Sequence, residues 1–124
     1  MKIPIDEPLW RKCVLLCHRA QPKGNRTYGG TIDGVKVYFV SGPWIMLHHD
    51  MDFHAGGNGL EDKKLCRHDE VVIDYHEQRH EWPFNLYHEL HERRDMVEGM
   101  SYDKAHERAN NGEKQLRTRH GVGV

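Results

Sequence analysis

Near the end of the chain, two stretches that can each form one helix are separated only by Gly99-Met100-Ser101, and each carries ionisable residues on a face that packing turns inward. The first helix is predicted from about Phe84 to Glu98. Pro83 suits its first turn, where a missing N–H costs nothing, and Leu86, Leu90 and Val97 are available to a core. Gly99 supplies the C-terminal cap, and the Ser101 hydroxyl opens a second helix running to about Arg117. Helical spacing places His88 and Glu92 (i, i+4) on one face with Glu89 beside them. In the second helix Tyr102, Ala105, His106, Ala109, Glu113 and Leu116 form a single stripe. A buried histidine and a buried glutamate must each find a partner or give up their charge, so a bound cation or a polar network is the natural reason for such a row.

At 124 residues the chain is read as one domain, residues 1–124, with a helix and sheet over 1–75 and metal-site helices over 84–117. Lys and Arg total 18 against 19 acidic residues, with the signs interspersed, which gives no basic field for nucleic acid. Eleven histidines are an excess that leans towards metal. The three cysteines are an odd number, and the opening residues show neither a long apolar stretch nor a small-residue cleavage site. A cytoplasmic protein with reduced thiols is therefore expected. The apolar runs are far too short for a membrane span. Oligomeric state is left open.

Along the first half, Pro8 precedes Leu9, Trp10, Cys13, Val14, Leu16 and Cys17, spaced for an amphipathic helix ending near Arg19 to Pro22, although Val14 to Cys17 also suits a strand. Residues 21–30 read as a loop. Asp33-Gly34 between Tyr28–Ile32 and Val35–Val40 signals a β-hairpin. Trp44–Met51 reads as a further strand, and Phe53–Gly59 as a flexible loop too glycine-rich for regular structure. Glu70–Tyr75 is β-branched and apolar enough for a sheet strand, with residues 119–124 fraying at the end. The fold class is α+β: a small mixed or antiparallel sheet, helices on one face, an N-terminal helix and two C-terminal helices carrying the metal site.

Two strings resemble the His-Glu-x-x-His signature of zinc hydrolases. His76-Glu77-Gln78-Arg79-His80 matches without a gap, but polar residues fill it and Pro83 interrupts any helix passing through. It is expected on an exposed strand end or turn. His88-Glu89-Leu90-His91-Glu92 lies inside an uninterrupted helix, and both histidine and carboxylate are ordinary zinc ligands. A zinc ion, or another divalent metal, held by His88, Glu92 and His106 leaves a fourth position for water. Glu113 can orient a ligand or act as a weaker fourth one. Tyr102 can donate a hydrogen bond to an oxyanion or simply pack on the preceding helix.

The string from His88 to Glu113, H-E-L-x-E-R-x-x-M-x-x-G-x-x-Y-x-x-A-H-x-x-A-x-x-x-E, resembles that of small bacterial and phage proteins regarded as minimal zincin-like metallopeptidases. Phe53-x-x-Gly-Gly and the strand ending Val72-Ile73-Asp74 are similar to that family as well. The resemblance covers roughly the second half of the chain. It implies His88 and Glu92 as helix ligands, His106 as the third ligand, Glu89 as general base, and a peptide or protein as substrate. The family's histidine after Gly-Gly is replaced here by Asn58, and residues 1–50 carry no resemblance.

The expected activity is thus hydrolysis by a metal-activated water with Glu89 accepting its proton, and an extended peptide pairing with Glu70–Tyr75 as the sheet edge. The alternative is a non-catalytic, metal-stabilised binding module, such as an accessory protein of a phage or mobile element. Plainer readings stand beside both: a His-Glu hydrogen-bond network between packed helices, Glu89 as a surface glutamate, and the His48-His49-Asp50-Asp52-His54 cluster as a solvated loop. Cys13 and Cys17 with Cys66 and His68 make a weak pattern for a structural zinc site, better explained as small core residues.

Overall fold

The computed structural model describes residues 3–121. Helix α1 (Glu7–Arg19) leads into strands β1 (Arg26–Ile32) and β2 (Val35–Val40), then helix α2 (Gly42–His48) and strands β3 (Gly56–Asn58) and β4 (Glu70–Asp74). A short 3₁₀ turn at Arg79–Glu81 precedes α3 (Trp82–Val97) and α4 (Tyr102–Arg119). The four strands form one mixed sheet in the order β1-β2-β4-β3. The β1–β2 and β3–β4 pairs are antiparallel, and β2–β4 is parallel. The chain is an α+β fold with an N-terminal helix and two C-terminal helices, as its patterning predicts.

Local chemistry explains the element boundaries. The Asp6 carboxylate accepts a hydrogen bond from the Leu9 N–H at 3.0 Å and caps α1, with Pro8 in the first turn. Asp33 and Gly34 take φ values of 50° and 81°, the left-handed pair that a two-residue hairpin requires. Ser101 caps α4 by accepting from the Lys104 N–H, and the Gly99 N–H closes α3 onto the Met96 carbonyl.

Alternation along β2 and β4 divides the core between two faces. Val37, Phe39, Val71 and Ile73 point to the side covered by α1 and α3, where Trp10, Cys13, Leu86, Tyr87 and Leu116 complete the main cluster. Val40 and Val72 point to the other side, against Ile45, Phe53 and Cys66. α4 reaches the main core chiefly through α3, contributing Leu116.

Several sequence expectations need correction, among them the loop over residues 21–30, because β1 begins at Arg26. Residues 44–51 are not a strand: Ser41 accepts from the Trp44 N–H, Pro43 sits in the first turn, and α2 forms. Helices therefore cover both faces of the sheet rather than one. The glycine-rich run contains an edge strand, because Gly56–Asn58 pairs in register with Val71–Ile73. Glu70–Tyr75 is consequently no edge; β4 is an interior strand, buried on both faces between β2 and β3. Val97, in the last turn of α3, is 60% exposed and contributes nothing to the core. Of the tail expected to fray, Arg119 ends α4, and residues 122–124 lie outside the described residues.

Leu116 is fully buried, so Leu116→Ala is expected to cost about 2–5 kcal/mol in urea unfolding. Val97→Ala should stay within about 0.5 kcal/mol. Equal losses at the two positions would contradict this division of the α3–α4 pair.

Candidate metal centre

Helix α3 presents His88, Glu89 and Glu92 towards a cavity of about 570 Å³, and α4 brings His106 and Glu113 to meet them. The connection through Gly99-Met100-Ser101 makes this possible by folding α4 back against α3. Glu92 Oε2 lies 3.2 Å from His88 Nε2 and 2.7 Å from His106 Nδ1, and the two ring nitrogens are 3.3 Å apart. Ligand atoms about 2.0–2.1 Å from a tetrahedral zinc ion stand about 3.3 Å from one another. Among the described residues, this is the one group of three or more histidine, cysteine or acidic side chains whose ligand atoms all lie within 4.8 Å of each other.

Surrounding groups fix the orientation of these side chains. Glu113 Oε1 is 3.0 Å from His88 Nδ1, so it holds the far side of the imidazole rather than joining the three converging atoms. Glu113 Oε2 accepts from Arg117 Nε at 2.9 Å, and the same guanidinium donates to both oxygens of Glu81 at 2.8 and 2.7 Å. On the sheet side, the Asn58 amide nitrogen donates to Glu92 Oε1 at 2.6 Å, leaving Oε2 to face the histidines. Asn58 is fully buried, and its oxygen accepts from the Leu60 and Glu61 N–H groups, which fixes the rotamer.

Glu89 is only 7% exposed, and its Oε1 has no hydrogen-bond partner. An unpaired buried carboxylate oxygen is costly and points to a missing partner. Space beside it is kept open by Gly56: a β-carbon there would come within 3.3 Å of Glu89 Oε2 and 2.8 Å of the Val72 carbonyl. Tyr102 also lines the cavity and stacks on His106, with ring centroids 5.3 Å apart.

These contacts set the proton affinities. Burial opposes charge on His88, yet the bonds to Glu113 and Glu92 and the nearby Glu89 outweigh it and raise the ring to about 10. Burial pushes Glu89 up to about 8, aided by Glu92, Glu61 and Glu113 and opposed by His88. Glu92 is also buried, but hydrogen bonds from His88 and His106 hold it below the usual carboxylate range. Burial and the surrounding carboxylates raise Tyr102 to about 12, so its phenol keeps its proton.

The donor set fits a divalent ion of the zinc type. Two imidazole nitrogens and one carboxylate oxygen converge, a carboxylate orients one histidine from behind, and an unpartnered acid stands beside them.

The other candidates lie elsewhere. His76 and His80 are exposed on the turn and 3₁₀ segment before α3. His91 stands 3.4 Å from Asp95 and packs beside Tyr87. Asp50, Asp52 and His54 line the cavity, whereas His48 and His49 pack on Trp44; none joins the ligand group. Cys13 and Cys17 sit in the main core, and Cys66 packs across the sheet from them. Burial drives all three thiols up, Cys17 and Cys66 to about 12, which suits inert core residues rather than ligands. Sequence reasoning did not assign roles to Asn85, Glu61 or Arg117, which line the cavity, or to Asn58, which holds Glu92 from behind. Only Arg117 had a local signal, its i, i+4 spacing from Glu113. No family model matches the chain, and neither a curated protein nor a solved structure does.

In chelator-treated protein, stability should fall as pH rises from about 6 to 9. A histidine raised above its ordinary value of about 6.5 stabilises the fold below that value and stops doing so as pH climbs towards 10. Glu89 acts in the same direction, since the folded state keeps a proton that the unfolded chain releases above about 4.3. Depressed Glu92 and Glu113 instead withdraw their contribution in acid. Urea titrations across pH check this; stability that rises between pH 6 and 9 would contradict the assignment. At neutral pH, Asn58→Ala should cost about 1–3 kcal/mol, because a buried carboxylate oxygen and two turn N–H groups lose their partner.

Proposed function

We propose that this protein is a divalent-metal-dependent hydrolase, most simply a zinc peptidase of the zincin-like kind that its second half resembles. One observation carries the reading: the converging atoms of His88, Glu92 and His106 lie at an open cavity beside Glu89, a buried acid with an unpartnered oxygen. A structural metal site is normally closed by a fourth protein ligand, whereas a catalytic one keeps a position open to solvent and substrate. A divalent ion bound there would lower the pKa of a coordinated water and polarise a substrate carbonyl.

The chain's own residues have distinct tasks in this scheme. His88, Glu92 and His106 hold the ion. Glu113 keeps the His88 ring in place, with Arg117 and Glu81 behind it. Glu89, poised near 8 by burial and like charges, gains acidity from a positive charge beside it. In its ionised form it takes a proton from the attacking water and returns it to the leaving nitrogen. Tyr102, protonated and stacked on His106, can donate to the oxygen where negative charge develops. An extended substrate would pair with β3, which is one edge of the sheet and runs beside Glu89 at Gly56.

The setting proposed is the cytoplasm, in keeping with three buried, unbridged cysteines. Among the described residues, no helix is long and apolar enough to cross a membrane.

Glu89→Gln should reduce hydrolysis of a peptide library at least about 100-fold while leaving metal content unchanged, because removing a general base commonly costs about 10²–10⁴ in rate. His106→Ala should remove stoichiometric metal as well as activity. Unaltered metal content in His106→Ala would refute the ligand assignment. A metal-loaded protein that cuts no peptide would favour the non-catalytic module.

A further inference from the structure

Charge around the cavity is strongly one-sided. Nine carboxylates line it, with one arginine, three histidines and no lysine, in a chain whose acidic and basic residues nearly balance at 19 to 18. The floor is compensated except at Glu89: Arg117 pairs with Glu81 and Glu113, and His88 and His106 pair with Glu92. The mouth is not. Among the described residues, Asp50, Asp52, Glu61, Asp62 and Glu77 have no ion-pair partner within 4.0 Å, although other surface acids such as Asp33 and Asp69 do. The carboxylates of Asp52, Glu61 and Glu77 also accept no hydrogen bond from the protein, so no role of these side chains in holding the fold accounts for them.

Repulsion within this group is visible in Glu61, which is raised by burial and then by Asp62, Glu92 and Asp50. A second, separate observation lies at the floor: Glu89, 7% exposed and lining the same cavity, leaves Oε1 without a partner. Carboxylates remain in excess even when Arg117 and a divalent ion at the histidines are counted. The mouth acids do not form a second cation cage, since no three of them bring ligand atoms within 4.8 Å of one another. Dispersed, solvent-facing carboxylates around a cleft instead attract an extended partner that carries positive charge, and the cleft walls focus that field.

We infer that the cavity selects cationic peptides: segments presenting an ammonium or guanidinium group to the Asp52–Glu61–Glu77 mouth while the backbone lies across the His88–Glu92–His106 floor. The cation comes from a lysine or arginine side chain or from a free N-terminus. Cleavage of such a peptide rests on the hydrolase reading; its binding does not.

The test uses zinc-loaded full-length protein and four fluorescent peptides of equal length: one blocked at both ends and containing arginine, one blocked with norleucine in its place, one blocked with glutamate, and one norleucine peptide with a free N-terminus. Binding is followed by anisotropy and cleavage by mass spectrometry. The arginine peptide should bind about tenfold or more tightly than its blocked norleucine counterpart, and the preference should collapse in about 1 M salt, where the screening length is about 3 Å. A matching gain for the free N-terminus alone assigns the cation to the amino group. The triple variant Asp52→Asn/Glu61→Gln/Glu77→Gln should lose the preference while keeping its zinc content and melting temperature, because these side chains hold nothing in the fold.

Equal affinity for the cationic and neutral peptides, or no binding of any, would overturn the inference. So would a preference that survives the triple substitution. Selective binding without cleavage supports the cationic mouth and removes the hydrolase reading. Cleavage that is indifferent to charge does the reverse.

Discussion

The structure depends on the requirement that a charge buried between helices be met by another. Glu92 is 3% exposed on the α3 face that α4 and β3 enclose; against the cost of burial, His88 and His106 hold it below the usual carboxylate range, and Asn58 satisfies its other oxygen. One partner comes from α3 itself and the other two from α4 and β3, so satisfying one carboxylate fixes how α4 lies on α3 and how β3 lies against both. An apolar seam would pack α3 and α4 more cheaply. The polar seam makes sense as a place where a cation competes with protons for the same nitrogen and oxygen atoms.

Around that seam the protein separates a compensated floor from an uncompensated mouth. Arg117 neutralises the acids behind His88, giving the histidine a fixed orientation without adding a cation at the cavity opening. Towards solvent the acids stand unopposed. Burial, aided by neighbouring acids, keeps Glu89 protonated near neutrality until a positive charge approaches, and the unopposed acids at the mouth would draw such charge inward.

The second half of the fold was legible in the sequence because its signals are local. Pro83, Gly99 and Ser101 mark helix ends, and helical spacing places His88 with Glu92 and His106 with Glu113. The same spacing also brings His91 within 3.4 Å of Asp95 on another face of α3, where its Nδ1 makes no hydrogen bond. Apolar context and the neighbouring helix decided between the two. The first half was harder to read. Whether residues 44–51 form a strand or a helix turns on the Ser41 cap and Pro43, which outweigh an apolar run compatible with either. The Gly56–Asn58 strand carries almost no propensity of its own; pairing with β4 creates it. Asn58 was visible as a residue, but its bond to Glu92 spans 34 positions and exists only after the sheet and helix meet.

The most direct test is elemental analysis of the protein purified without any metal-resin step and dialysed against metal-free buffer. The account predicts about one zinc or similar divalent transition ion per chain, retained through dialysis. A chain that contains no such ion and takes none up from added zinc, while folded, would show that the α3–α4 seam is only a hydrogen-bond network.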